Sequence, residues 1–333
     1  MPSPVPLGRV IRSGVEESIH LGSIVVADDH GKVVASAGDP NRIAYARSSA
    51  KPLQAAVSLR FIHEGDDGDE DEGLSDAEVA VMCGSHNGEP VHLQTVKKLL
   101  DRAELGFSAL RCPPALPLDP EAARGVSGPR PELHNCSGKH AGMLLASVRM
   151  GFDLDSYRQP THPVQQAILD AVRVATGMDP VAVGIDGCGI PVHAFPLVSM
   201  ATMYARLARP RDLGSLAPEA ERVVRSMAAE PYIVAGRGRI CTRVMEAVSG
   251  VVVKVGAEGL LCAALLGRGQ GIAMKVEDGS GRSWGPSLVR ALELLDVLRP
   301  HDEASIEELA RAPVLGGGRP VGEIRADFDL VFG

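Results

Sequence analysis

Arg47-Ser48-Ser49-Ala50-Lys51-Pro52-Leu53-Gln54 is the stretch on which the reading of the fold turns. Pro52 suits the first turn of a helix, where its missing N–H is not needed. Residues 53–60 continue with apolar positions at helical spacing. Residues 48–51 are therefore placed at or near a helix N-terminus. Ser48 and Lys51 are three apart, so one helical face is expected to carry both. A serine hydroxyl is a weak nucleophile that needs a base within hydrogen-bond reach, and a neutral lysine amine is such a base. The rarity of lysine adds weight to this pair. Only seven of the 34 basic side chains are lysines, so the solvated cations are nearly all arginine. An amine can give up its proton near neutral pH, whereas a guanidinium cannot. Four of the seven, Lys51, Lys139, Lys254 and Lys275, sit in segments unlike a plain solvated face.

Working outward, residues 8–13 and 18–27 read as strands, 28–31 as a turn and 32–36 as a returning strand, which predicts an N-terminal hairpin. Residues 64–72 read as an acidic, glycine-broken loop. Residues 91–105, 163–176, 195–207, 217–228, 284–298 and 303–310 read as helices, with Pro163 as a start and Gly177 as a stop. Residues 251–254, 259–266 and 271–276 read as central strands of an antiparallel sheet, and 321–324 as a last strand. Strands at both ends with helices between them predict an α+β chain. One domain over 1–333 is expected, with a sheet lobe from about 9–47 and 250–330 and a helical lobe from about 52–249.

Composition narrows the class. An apolar content of 45% with 23% charge suits a globular enzyme, and a net charge of −8 argues against nucleic acid or an anionic membrane as partner. No apolar run approaches the roughly 20 residues that cross a bilayer. Met1-Pro2-Ser3-Pro4-Val5-Pro6 does not read as an export signal, so a cytoplasmic location is expected. The six cysteines are then expected as reduced thiols or metal ligands.

Two further segments join the serine–lysine pair. Cys83-Gly84-Ser85-His86-Asn87-Gly88-Glu89 is a small-residue turn after an apolar helix, and Lys254-Val255-Gly256 ends an apolar strand, where Gly256 would let backbone approach a ligand. A Ser-x-x-Lys, then a Ser-x-Asn, then a Lys-x-Gly on a strand is the order of the penicillin-recognising serine hydrolases. Cys136 and Cys188 both sit in glycine-bearing polar loops, whereas Cys112, Cys241 and Cys262 read as core thiols. With His134, His140, His193 and Asp186 nearby in sequence, the two loop cysteines are candidates for a zinc site. Two unmodified thiols, or a catalytic Cys136 with His140, are the alternatives.

Together with Asn135-Cys136-Ser137-Gly138-Lys139-His140, Asp186-Gly187-Cys188-Gly189, Gly256-Ala257-Glu258-Gly259 and the opening Arg12-Ser13-Gly14-Val15-Glu16-Glu17-Ser18-Ile19-His20, these motifs resemble the Rhizobium etli-type (class 3) L-asparaginases, over residues 9–325. The resemblance implies a serine β-lactamase/DD-peptidase-like fold, a homodimer, and hydrolysis of L-asparagine to L-aspartate and ammonia. It implies two catalytic tandems, Ser48 with Lys51 and Ser85 with Lys254, Lys275 being the competitor for the second lysine. It implies Zn²⁺ on Cys136, Lys139 and Cys188, aiding substrate binding more than chemistry. Arg47, His134, Asp186 and Gly256 complete the expected substrate site. Ser48 is expected to attack the amide, with oxyanion donors at Ser48 and near Gly256. Three readings rival this one: a β-lactam or other amide hydrolase including glutaminase, a non-catalytic amino-acid-binding protein, and a hydrolase whose zinc does the chemistry.

Overall fold

The structure, a computed structural model, describes residues 2–65 and 73–333. Most of the acidic loop expected at 64–72 lies outside the described residues. The strands are β1 (Val5–Arg12), β2 (Val15–Asp28), β3 (Val33–Ala37), β4 (Ile43–Tyr45), β5 (Ala182–Ile185), β6 (Pro191–Pro196), β7 (Val251–Val255), β8 (Leu260–Leu265), β9 (Gln270–Val276), β10 (Arg311–Gly316), β11 (Arg319–Arg325) and β12 (Val331–Phe332). The large sheet runs β10-β11-β1-β2-β9-β8-β7, with β3 also on β2 and β12 on β3. Every pairing in it is antiparallel. Both chain ends build this sheet and the helices lie between them in sequence, so the α+β class holds.

Local chemistry explains the well-read elements. Asp28 Oδ1 accepts from the N–H groups of His30 and Lys32, and Gly31 takes a φ of 85°, which closes the β2–β3 hairpin as an Asx-type turn. The helix Pro163–Thr176 has His162 as its N-cap and ends on Gly177 at φ 73°, the left-handed position glycine adopts without strain. Strands β7, β8 and β9 are almost wholly buried, which is why they read as continuous apolar runs.

Other elements differ from expectation. The segment expected as a helix at 195–207 begins two residues late, because β6 runs to Pro196 and the helix is Leu197–Ala208. The glycine-rich tail forms the hairpin β10–β11, turning on Gly317 and Gly318 at φ 56° and 78°. A second sheet, β4-β6-β5, is built from three strands too short for periodicity to reveal. The polar loop expected around Cys136 is instead the start of the helix Ser137–Arg149, with Cys136 as N-cap and Lys139 in the first turn. Gly138 makes that possible: a Cβ there would come within 2.2 Å of the Val81 carbonyl oxygen, so only glycine lets this helix lie against Asp76–Cys83.

One apolar core joins the inner sheet face to the central helices, through residues such as Val25, Leu53, Met143, Tyr204 and Val253. A small second cluster of Val10, Val314 and Ile324 backs the outer strands. Among the described residues no helix is long and apolar enough to cross a membrane.

Candidate active site

The 3₁₀ turn Arg47–Ala50 runs directly into the helix Lys51–Glu64, with Pro52 in its first turn as expected. Lys51 is fully buried. Its Nζ donates to the Gly84 carbonyl, lies 3.0 Å from Ser85 Oγ and reaches the Asn135 carbonyl at 3.4 Å. Lys254, in β7 and equally buried, brings its Nζ to 2.8 Å from Ser85 Oγ and donates to the Val255 carbonyl at 2.9 Å. Ser85 Oγ thus lies between two buried amines.

This alters the expected pairing. Among the described residues no hydrogen bond joins Ser48 Oγ to Lys51 Nζ; the serine on Lys51 is Ser85. A 3₁₀ turn still sets residues three apart on one side, so what parts the pair is the partners that the lysine amine takes further inside. The lysine's long stem then runs inward, where the Gly84 and Asn135 carbonyls satisfy an amine that burial would otherwise leave unpaired. Ser48 remains half-buried in the same turn.

Burial pushes the Lys254 amine down to about 7, and the nearby cations Lys51 and Arg239 push the same way, against the Cys241 thiol. A lysine at that value is half neutral at physiological pH and can exchange a proton with Ser85. Lys275, the competitor, sits in β9 opposite Ser23 and Leu260, and donates to the Val276 carbonyl at 2.5 Å. Lys254 is the lysine that reaches Ser85.

Gly256 directly follows β7. Its own N–H donates to Leu260 O at 2.8 Å. A Cβ there would lie 3.2 Å from the Ala46 carbonyl and 2.9 Å from Leu260 Cδ2, so the glycine lets the end of β7 lie against the turn that carries Arg47 and Ser48.

Arg47 holds a left-handed φ of 47°, a strained conformation for a non-glycine residue. Its Nε donates to Asp186 Oδ1 at 2.7 Å. Burial alone would raise the Asp186 carboxyl, but Lys139, Arg47 and the Gly187 N–H outweigh it and hold it below its ordinary value. His134 is half-buried and neutral: burial lowers its pKa, Lys51 adds to this, and its Nδ1 accepts from the Cys136 N–H at 3.0 Å. Arg47, His134 and Asp186 therefore gather around the same buried amines and thiols.

Cys136, Lys139 and Cys188 are brought together. Lys139 Nζ lies 3.0 Å from Cys188 Sγ, and all three are buried. A hydrogen bond from the Cys188 thiol holds the Cys136 thiol well below its ordinary value, against burial. Burial would lower Lys139, but the two sulfurs outweigh it and push it up to about 12. Among the described residues no three His, Cys, Asp or Glu side chains assemble a metal site; here the third donor is an amine. Two sulfurs and a nitrogen gathered around Cys188 and shielded from water are a donor set that suits zinc, provided the metal displaces the lysine proton. His140 meets the Tyr157 hydroxyl through Nδ1 at 2.6 Å, and among the described residues no hydrogen bond joins it to Cys136, the alternative dyad. The buried His193 contributes its carbonyl to the Ala46 N–H rather than its ring to the sulfurs.

The loop after Ser85 contains residues whose roles were not read from the sequence. Asn87 Nδ2 donates to Glu89 Oε1 and the Arg237 carbonyl, and its Oδ1 accepts from Arg239. The Tyr232 hydroxyl donates to Glu89. Asn87 therefore braces the loop against residues 236–239. The sequence signals were the Ser-x-Asn element and the cluster of small and polar residues between 83 and 89.

The family model described as L-asparaginase II matches residues 9–326. No curated protein matches the chain. Among solved structures, a β-lactamase from Mycobacterium bovis is 16% identical, covering 83% of this chain and 95% of its own, with a TM-score of 0.43. A Bacillus glutaminase is 12% identical, covering 83% and 91%, with a TM-score of 0.46. The family match takes in both serines, both buried lysines and the cysteine pair, and so the chain belongs to the L-asparaginase II family and is an amidohydrolase.

Proposed function

We propose that this enzyme hydrolyses L-asparagine to L-aspartate and ammonia through an acyl-enzyme formed on a serine. The observation that carries the mechanism is Ser85 Oγ flanked by Lys51 and Lys254 at 3.0 and 2.8 Å. Ser48 attacks the side-chain carboxamide carbon, and its proton passes into the Lys51–Ser85–Lys254 chain. The C–N bond breaks as that proton is delivered to the leaving nitrogen, and ammonia departs. Water, losing a proton to the same chain, then cleaves the ester. The Ser48 backbone N–H would supply an oxyanion donor. The substrate's α-carboxylate and α-amine match the charges of Arg47 and Asp186, which the structure sets 2.7 Å apart.

A second reading has Ser85 as the nucleophile, because both amines already lie on its hydroxyl. Stopping turnover with acid and mapping the acyl adduct separates them: an adduct on Ser48 supports the first, one on Ser85 the second, and none on either ends the proposal. Ammonia release measured across Asn, Gln and simple amides tests the substrate.

Zn²⁺ is part of the proposal, held by Cys136, Lys139 and Cys188. When bound it would supply positive charge to orient the substrate. Elemental analysis of protein purified without chelator tests this; metal content unchanged in Cys188→Ala would count against it. The resemblance supports a homodimer, which the mass in solution tests.

A further inference from the structure

We infer that His86 and Ser137 form a latch that fixes the Ser85 hydroxyl of the proton chain relative to the Cys136–Lys139 segment. This rests on the reading above, in which those two groups serve one substrate.

The two residues occupy telling positions. His86 follows Ser85 directly, and Ser137 lies between Cys136 and Lys139. Both are fully buried. The His86 ring and the Ser137 hydroxyl meet at 3.0 Å. The network sets the direction of each bond. The Gly88 N–H donates to His86 Nδ1 at 3.1 Å, so that nitrogen carries no proton. His86 Nε2–H then donates to Ser137 Oγ, and the Ser137 hydroxyl in turn donates to the Glu132 carbonyl at 2.9 Å. The backbone adds a second tie, from the His86 N–H to the Asn135 carbonyl at 3.2 Å. That same carbonyl takes the Lys51 amine at 3.4 Å.

The ring is also held in plane. It stacks on His92 at 5.1 Å between centroids and 12° between planes, and His92 stacks on Tyr232 at 5.9 Å and 6°. His92 is itself fixed, accepting from the Glu89 N–H at 3.2 Å and donating to the Tyr232 carbonyl at 3.1 Å. A buried donor–acceptor chain with each of these bonds made is stiff and specifies one arrangement. The loop carrying Ser85 and the helix start carrying Cys136 and Lys139 are separate in sequence, and this chain makes them one body. His86 is thus a positioning residue that acts through Ser85 and Ser137, not a catalytic one.

The test is a double-mutant cycle on purified full-length enzyme, with His86→Leu, Ser137→Ala, both together, and His86→Gln, whose side-chain amide can restore the Nε2 donor. Steady-state constants for asparagine and zinc affinity by chelator competition are read at a temperature where every variant is folded by circular dichroism. We expect each single substitution to lower kcat/KM and zinc affinity by about 10- to 100-fold, the double variant to be no worse than either single one, and His86→Gln to recover most of the loss. Additive losses, or kinetics and zinc affinity unchanged in the two single variants, would overturn the latch. Wild-type enzyme that binds no zinc would sink the metal proposal while leaving the kinetic cycle to decide the latch.

Discussion

Lys254 Nζ lies 2.8 Å from Ser85 Oγ, although the two residues come from a strand and a loop far apart in the chain. Strand β7 is the end strand of the large sheet, next to the helices, so its inward side chains meet the helical region directly. The pairing therefore depends on where the sheet ends, and several properties follow from it.

Activity should rise with pH through a value near 7. Burial holds Lys254 at about 7, so its amine is mostly protonated below that pH and mostly able to accept a proton above it. Lys254→Met should lower kcat by about 10²- to 10⁴-fold and abolish that limb of the pH–rate profile. A variant that keeps both the rate and the profile would remove Lys254 from the mechanism.

The same lysine should burden stability at neutral and acid pH. Its folded pKa lies below its unfolded value near 10.5, so between about 7 and 10.5 the unfolded chain binds the extra proton and stability rises with pH. Below 7 the full penalty stands. Lys254→Met should raise the melting temperature more at pH 6 than at pH 10, which thermal melts at the two pH values would show.

Acid should destabilise the loop network. Burial lowers His86 and His92, and holds His140 at about 4. Each has a folded pKa below the unfolded value near 6.5, so unfolding takes up protons and stability falls as pH drops below 6.5. His92→Gln should flatten this fall between pH 6.5 and 5. An equal slope in wild type and variant would show that His92 contributes nothing to it.

Gly138→Ala should destabilise the protein, although alanine is the better helix former. Its Cβ would meet the Val81 carbonyl oxygen at 2.2 Å and must displace backbone. A loss of about 1–3 kcal/mol in denaturant unfolding is expected, whereas a gain in stability would mean that the two helices are free to separate.

The sequence alone determined the elements whose chemistry is local. Pro52 and Gly177 mark helix ends by what their backbones allow, the Asp28 turn closes on its own side chain, and the β7–β9 strands are mostly apolar because they are buried on both faces, which makes Lys254 stand out among them. The motif residues were legible because lysines are few in this chain and four of them fall in segments unlike a solvated face. Only the tertiary structure decided which groups meet. Lys51 pairs with Ser85 rather than Ser48 because its buried amine finds the Gly84 and Asn135 carbonyls and the Ser85 hydroxyl, all from segments distant in the chain. His86 meets Ser137 because Gly138 lets one helix start press against another helix. Those are contacts between segments distant in the chain, set by packing in three dimensions, and neither spacing nor periodicity encodes them.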